Sequence, residues 1–277
     1  MSDVWPLHGD GQRFETAGTV AATTSLTDIP ENAAANTKGA YAELIASTAF
    51  DAVGFLLNIC FTPANSRSML LDIAVGAAAS ETVILADIAF THGSASFSTH
   101  LVYIPLPIPA ASRVSARYAT TTVATANLMV AVNLVGAGFA GGSPYGKAET
   151  WGATAADSGG IQVVPGVTNA KGSYSQIVAA SAFDVNAIIV CVGNSAADYA
   201  LAAQRYLFDV AVGGAGVEQI LFTDLLFAAD VFEDSPHQQI MGPFPCMIPA
   251  GSRVAVRAQT SAGTTDNFDF VIIGFST

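Results

Sequence analysis

Residues 108–117, "IPAASRVSAR", and residues 248–257, "IPAGSRVAVR", write nearly the same ten residues twice in one chain. The repetition does not stop there. "NTKGAYAELIASTAFDA" from Asn36 answers to "NAKGSYSQIVAASAFDV" from Asn169, and "LDIAVGAAASE" from Leu71 to "FDVAVGGAGVE" from Phe208, in the same order. Even the lead-ins match, "ETAGTVAATTS" from Glu15 with "ETWGATAADSG" from Glu149. The chain is an internal duplication, so every further reading has to hold for both halves.

Two copies are too few for a solenoid, and 277 residues fit two ordinary domains. The block spacing gives an N-terminal arm at 1–15, a first domain at 16–139, a linker at 140–149 and a second domain at 150–277. The region around 140–160 is rich in Gly, Ala and Ser, a composition for a loose connection. Each lead-in serves equally well as an arm docking on a neighbour or as the first edge strand of its own unit.

Residue types point to strands in both units. Thr, Val, Ile and Phe abound while Lys, Glu and Gln are scarce. In "SMLLDIAVG" from Ser68, Leu71, Ile73 and Val75 face one way and Asp72 and Ala74 the other. "RVSARY" from Arg113 alternates likewise, with Arg113 and Arg117 on one face; Arg253 and Arg257 repeat this. Ile-Pro-Ala-(Ala/Gly)-Ser-Arg reads as a hairpin turn before a strand, because proline lacks the N–H a ladder needs. Short strands separated by Gly, Pro, Ser and Asn predict an all-β chain, two tandem jelly-roll or β-sandwich domains. The nearest helical candidate is "AAQRYLF" from Ala202.

Composition excludes several functions. Charged residues are only 12% of the chain, against roughly a quarter in an average soluble protein. Hydrophobic residues reach 51%, yet no run has the ~18 apolar residues of a membrane helix. The longest apolar runs, such as "AIIVCV" from Ala187, have strand length. The excess must be buried in strand-dense domains and against other subunits. A net charge of −12 argues against nucleic acid, which needs a basic patch. "MSDVWPLHGD" has neither the basic nor the apolar region of a signal peptide. Cys60, Cys191 and Cys246 are odd in number and not equivalent between copies, so they read as free thiols of a reducing compartment.

Few constellations suggest chemistry. "ADSGG" at 156–160 resembles the nucleophile segment of chymotrypsin-like proteases, but no histidine shares its unit in a triad pattern and unit one lacks the string, so Ser158 reads as a linker serine. His8, His92, His100 and His237 show no metal spacing. Asp230, Glu233 and Asp234 lack the glycine-turn spacing of a calcium loop and read as a solvated loop. The polar residues kept in both copies are Lys38/Lys171, Asp51/Asp184, Asp72/Asp209, Arg113/Arg253 and Arg117/Arg257. Two carboxylates per unit fit a glycosidase pair in principle. Duplication favours structure instead: Asp72 and Asp209 pairing with arginines on neighbouring strands and fixing register. No catalytic residue, cofactor or metal is expected. Candidates for an exposed aromatic that stacks on a sugar are Tyr118, Tyr145, Trp151 and Tyr199, with Trp151 reading better as an anchor of the linker.

"KGAYAELIASTAFDAVGFLL", "LDIAVGAAASETVIL" and "IPAASRVSARY" resemble modules recurring in structural proteins of tailed bacteriophages and related prophage particles. The resemblance covers both units. It implies a non-enzymatic virion component, a capsid decoration or head-fibre protein or a tail or tail-tip protein, assembled in the host cytoplasm. Other virion proteins are its implied partners, with a homo-oligomer, favoured as a trimer, presenting six similar domains. Alternatives are a virion-borne module binding a host-surface glycan or receptor, a double-jelly-roll major capsid protein, and, last, a glycan hydrolase.

Overall fold

The structure is a computed structural model that describes residues 13–20, 25–61, 67–92, 98–123, 128–136, 145–194, 204–230, 235–236, 240–262 and 267–277. Its first half runs β1 (Phe14–Ala17), β2 (Thr19–Val20), β3 (Ser25–Ile29), β4 (Ala42–Ile45) and β5 (Ala52–Phe61). It continues with β6 (Arg67–Val75), β7 (Thr82–His92), β8 (Ser98–Ile104), β9 (Val114–Thr120) and β10 (Leu128–Gly136). One sheet has the order β2-β3-β10-β5-β8 with β1 also on β10, and the other β4-β9-β6-β7. The chain therefore crosses between sheets at β3–β4, β4–β5, β5–β6, β7–β8, β8–β9 and β9–β10, which is jelly-roll wiring.

The second half repeats it. β11 (Lys147–Trp151), β12 (Ile161–Val163), β13 (Ser175–Val178), β14 (Val185–Asn194) and β15 (Gln204–Val212) are followed by β16 (Gln219–Asp230), β17 (Ser235–Pro236), β18 (Ile240–Ile248), β19 (Val254–Thr260) and β20 (Phe268–Ser276). The sheets are β11-β20-β14-β18, with β12 also on β20, and β13-β19-β15-β16-β17. The chain is all-β, two jelly rolls in tandem. Backbone details duplicate too: Asp87 and Asp224 both have φ 54°, and Asn36 and Asn169 have φ 56° and 58°. The lead-ins are edge strands of their own rolls, β1 on β10 and β11 on β20.

Burial explains a sequence contrast. In β5, Phe55, Leu57, Ile59 and Phe61 fill the core while Leu56, Asn58 and Cys60 alternate with them, half-buried, on the outer face. The equivalent strand β14 does not alternate, because both its faces are sealed. Ile188, Val190 and Val192 belong to the second roll's core, whereas Ala187, Ile189 and Cys191 join the first roll's core cluster. Val271, Ile273 and Phe275 of β20 join it as well. The outer face of the second roll is covered by the edge of the first, chiefly β7, so the run "AIIVCV" is apolar for a reason. Burial of a Val, Ile or Phe contributes about 1.5–3 kcal/mol each, so this seam joins the rolls into one body.

Four expectations are corrected. The Ile-Pro-Ala turn is not a hairpin: β8 lies in one sheet and β9 in the other, so the turn is an arch between layers. Residues 204–208 of the helical candidate lie in β15, whose inner face is filled by Tyr206, Phe208 and Val210. β1 begins at Phe14 and β11 at Lys147, inside the segments read as arm 1–15 and linker 140–149. Residues 150–160 are not loose, since Thr154 and Gly159 exchange backbone hydrogen bonds of 3.0 and 3.3 Å.

Candidate functional site

Asp72 sits mid-strand on β6, on the face away from the roll's core, and yet is only 3% exposed. Three elements cover it. Arg117 is its cross-strand partner on β9 and donates from Nε to Oδ2 at 2.9 Å. Lys38, in the loop before β4, donates from Nζ to Oδ1 at 2.7 Å and to the Leu70 carbonyl at 2.8 Å. On the other side the β6–β7 register shifts between Leu71 and Ile73, and the extra residue Asp87 adopts a left-handed φ. Its N–H donates to Asp72 Oδ1 at 3.0 Å, and its carboxylate meets Lys38 at 2.8 Å. Asp tolerates that conformation better than most residues. The Arg117 guanidinium lies over the Tyr41 ring at 4.5 Å.

The second roll builds the same cluster. Asp209, 1% exposed, accepts from Lys171 Nζ at 2.7 Å, Arg257 Nε at 2.8 Å and the Asp224 N–H at 3.0 Å. Lys171 also meets Asp224 at 2.9 Å, and Arg257 covers Tyr174 at 4.6 Å. Burial alone would raise the Asp209 pKa, but hydrogen bonds from Lys171, the Asp224 N–H and Arg257 outweigh it and hold the carboxyl below its usual range. Such a carboxylate is ionised and fully engaged. Held by two cations and a backbone N–H across three elements, it has the geometry of a register pin.

A second repeated device lies at the end of each roll. Arg113 donates from Nε to Glu43 at 2.7 Å and from a terminal nitrogen to Glu81 at 3.0 Å. Arg253 does the same to Gln176 and Glu218, both at 3.0 Å. The arch itself is held by the other repeated block. Asp51 and Asp184 accept from the N–H groups of Ala110 and Ala250, each at 2.7 Å. Thr48 and Ser181 donate to the carbonyls of Pro109 and Pro249 at 2.8 and 3.0 Å. The two most similar blocks in the sequence are thus partners in space. Position 111/251, Ala in one copy and Gly in the other, has φ of 58° and 79°, which favours glycine.

Among the described residues, the aromatic candidates Tyr118, Tyr145 and Trp151 do not form a sugar platform. Tyr118 is fully buried in the first core and Trp151 is 2% exposed in the second, which corrects the reading of both as glycan contacts. Tyr145 is half-buried against Phe275, with ring centroids 5.9 Å apart. Tyr199 lies outside the described residues, as do His8, His237, Glu233 and Asp234. His92 and His100 are packed against the Phe61 and Phe90 rings, and burial drives the pKa of each down to about 4. Ser158 is buried, and its Oγ donates to Asn36 Oδ1 at 3.0 Å, which ties the turn of one roll to a loop of the other. Asp269, which the sequence reading did not single out, is a buried carboxyl on β20. Burial, opposed by a hydrogen bond from Gly160 and aided by the charge of Asp157, lifts its pKa to about 7. A lone Asp inside the apolar run "FDFVII" was the available signal.

No protein-family model matches the chain, and no curated protein matches it. Among solved structures, PNGF-II in its C2 space group is similar over 96% of this chain and 65% of that one, at 7% identity and a TM-score of 0.43. The T13 IBDV viral particle is similar over 83% of this chain and 56% of that one, at 11% identity and a TM-score of 0.27. The chain spans less than two thirds of either.

Proposed function

We propose that the chain is a non-enzymatic structural subunit of a virus particle, of the tailed-phage kind its sequence blocks resemble, that works as a homo-oligomer among other virion proteins. The observation that carries this reading is the fate of the duplicated polar residues. Asp72, Asp209, Arg113, Arg117, Arg253 and Arg257 are all consumed in ion pairs inside each roll, while large apolar side chains stand exposed among the described residues. Phe14, Leu101, Leu226 and Met247 are 60%, 64%, 55% and 81% exposed, an arrangement for contact with protein and not for turnover of a substrate. A glycan-binding role draws no support from the buried Tyr118 and Trp151.

A major capsid subunit is the second reading, favoured by one observation: both halves are jelly rolls packed side by side in one body. Light scattering on purified chain tests the shared premise, with a trimer expected at micromolar concentration. A monomer throughout that range refutes both. Images of particles carrying the chain with a label then separate the readings, since a capsid subunit covers the shell and a decoration or tail protein is sparse.

A further inference from the structure

The contact between the two rolls joins unlike surfaces. The first roll offers its β7 edge, and the second offers the outer face of its β11-β20-β14-β18 sheet. Since the rolls are copies, each also carries the surface that its sister uses: the β16 edge, whose end at Ala229 and Asp230 pairs with β17, and the outer face of β1, β10, β5 and β8, both with exposed apolar side chains among the described residues. Ala89 of β7 is 4% exposed under the seam, beside Cys191, whose sulfur accepts from the Ala89 backbone N–H. Its equivalent on β16 is Leu226, which pairs with Leu207 as Ala89 pairs with Leu70, and Leu226 is 55% exposed.

The other free surface tells the same story. Ile189 pairs with Ile273 and Cys191 with Val271 in the covered sheet, as Leu56 pairs with Asn133 and Asn58 with Ala131 in the open one. Ala148 and Ile240, which pack against the seam, correspond to Phe14 and Leu101 at 60% and 64% exposure. Thr150 Oγ1 donates across the seam to the Ala86 carbonyl at 2.6 Å, and its equivalent Thr16 is retained on the open face.

We infer that copies of this chain join head to tail by repeating the seam between chains: the β16 edge of one docks on the outer face of β1, β10, β5 and β8 of the next. The partner is a second copy of the chain. Leu226 takes the place of Ala89 against Asn58, and Thr16 takes the place of Thr150 against the Thr223 backbone. Unlike surfaces joined this way close into a ring when the rotation permits, and three chains then give a ring of six rolls with one kind of contact throughout. The inference rests on the homo-oligomer reading above and specifies its interface.

The test uses full-length chains in which Cys60 and Cys246, the two partly exposed thiols, are serine. One chain carries Asn58→Cys and another Leu226→Cys. Oxidation of the mixture gives a disulfide-linked dimer on a non-reducing gel, while either chain alone stays largely monomeric, because the contact joins unlike faces. In parallel, Leu226→Asp raises the dissociation constant of the oligomer at least a hundredfold and leaves the circular-dichroism melt of the roll in place. An oligomer by light scattering whose mixture yields no linked dimer, or which survives Leu226→Asp, overturns this interface and leaves the oligomer reading standing. A monomer overturns both.

Discussion

Asp209→Ala removes the centre of the second cluster, and its cost can be worked from the contacts. The side chain is 1% exposed and accepts from two cations, one backbone N–H and, at 3.3 Å, the Thr223 hydroxyl. Breaking a buried ion pair by deleting one partner costs about 3–5 kcal/mol, and an orphaned buried N–H about 1–3 kcal/mol. These overlap and do not add. Lys171 keeps the Asp224 carboxylate at 2.9 Å, and the Lys171 and Arg257 side chains are 15% and 28% exposed, so water takes over part of the lost interaction. The expected loss is at the low end, about 3 kcal/mol, and about 2 kcal/mol for Asp209→Asn, which keeps an acceptor for the N–H. Asp72→Ala in the other roll should cost the same within about 1 kcal/mol, since its contacts differ only in lacking the Thr223 hydroxyl, which is 3.3 Å from Asp209. Urea unfolding at pH 7 and fixed chain concentration reads these differences. In a double-mutant cycle, Arg257→Ala should cost about 1–2 kcal/mol less once Asp209 is already alanine. A loss under about 1 kcal/mol for Asp209→Ala, or no coupling to Arg257, would refute the register-pin argument.

Three further outcomes follow from the seam and the buried titratable groups. A Cβ at Gly193 would lie 2.4 Å from Thr91 Oγ1 across the seam, so Gly193→Val should cost about 1–3 kcal/mol, mostly recovered in a Thr91→Ala background, by the same unfolding assay. His92, 1% exposed, is neutral in the fold with a pKa near 4, below its unfolded value, so the stability it contributes is present above pH 6.5 and is lost as pH falls toward 4, by at most about 3 kcal/mol. An imidazole resonance assigned to His92 that titrates above pH 6 contradicts this. Asp269 has the opposite sign: its folded pKa of about 7 lies above the unfolded value, so stability falls as pH rises from 4 through 7. Asp269→Asn should flatten that limb and gain up to about 4 kcal/mol at pH 8; an unchanged slope between pH 5 and 8 counts against the burial of a proton there.

What the chain itself declares is its doubling, its strand content and the residues of its ion clusters. Alternation in "SMLLDIAVG" puts Asp72 opposite its core neighbours, and duplication marks Asp72 and Arg117 as parts of a scaffold, because a strand's side-chain period is a local property. Which strands share a sheet is not local. The Ile-Pro-Ala turn reads alike as a hairpin or an arch, and only contacts to Thr48, Asp51 and their copies, some 60 residues away, make it an arch. The left-handed Asp87 that completes the Asp72 cage and the burial of Tyr118 and Trp151 likewise depend on packing between distant segments. Nor does a repeat say how its copies are stacked. The unbroken run "AIIVCV" recorded that both faces of β14 are covered, but that the cover is the edge of the sister roll, and that two matching faces are left open, is settled by three-dimensional packing alone.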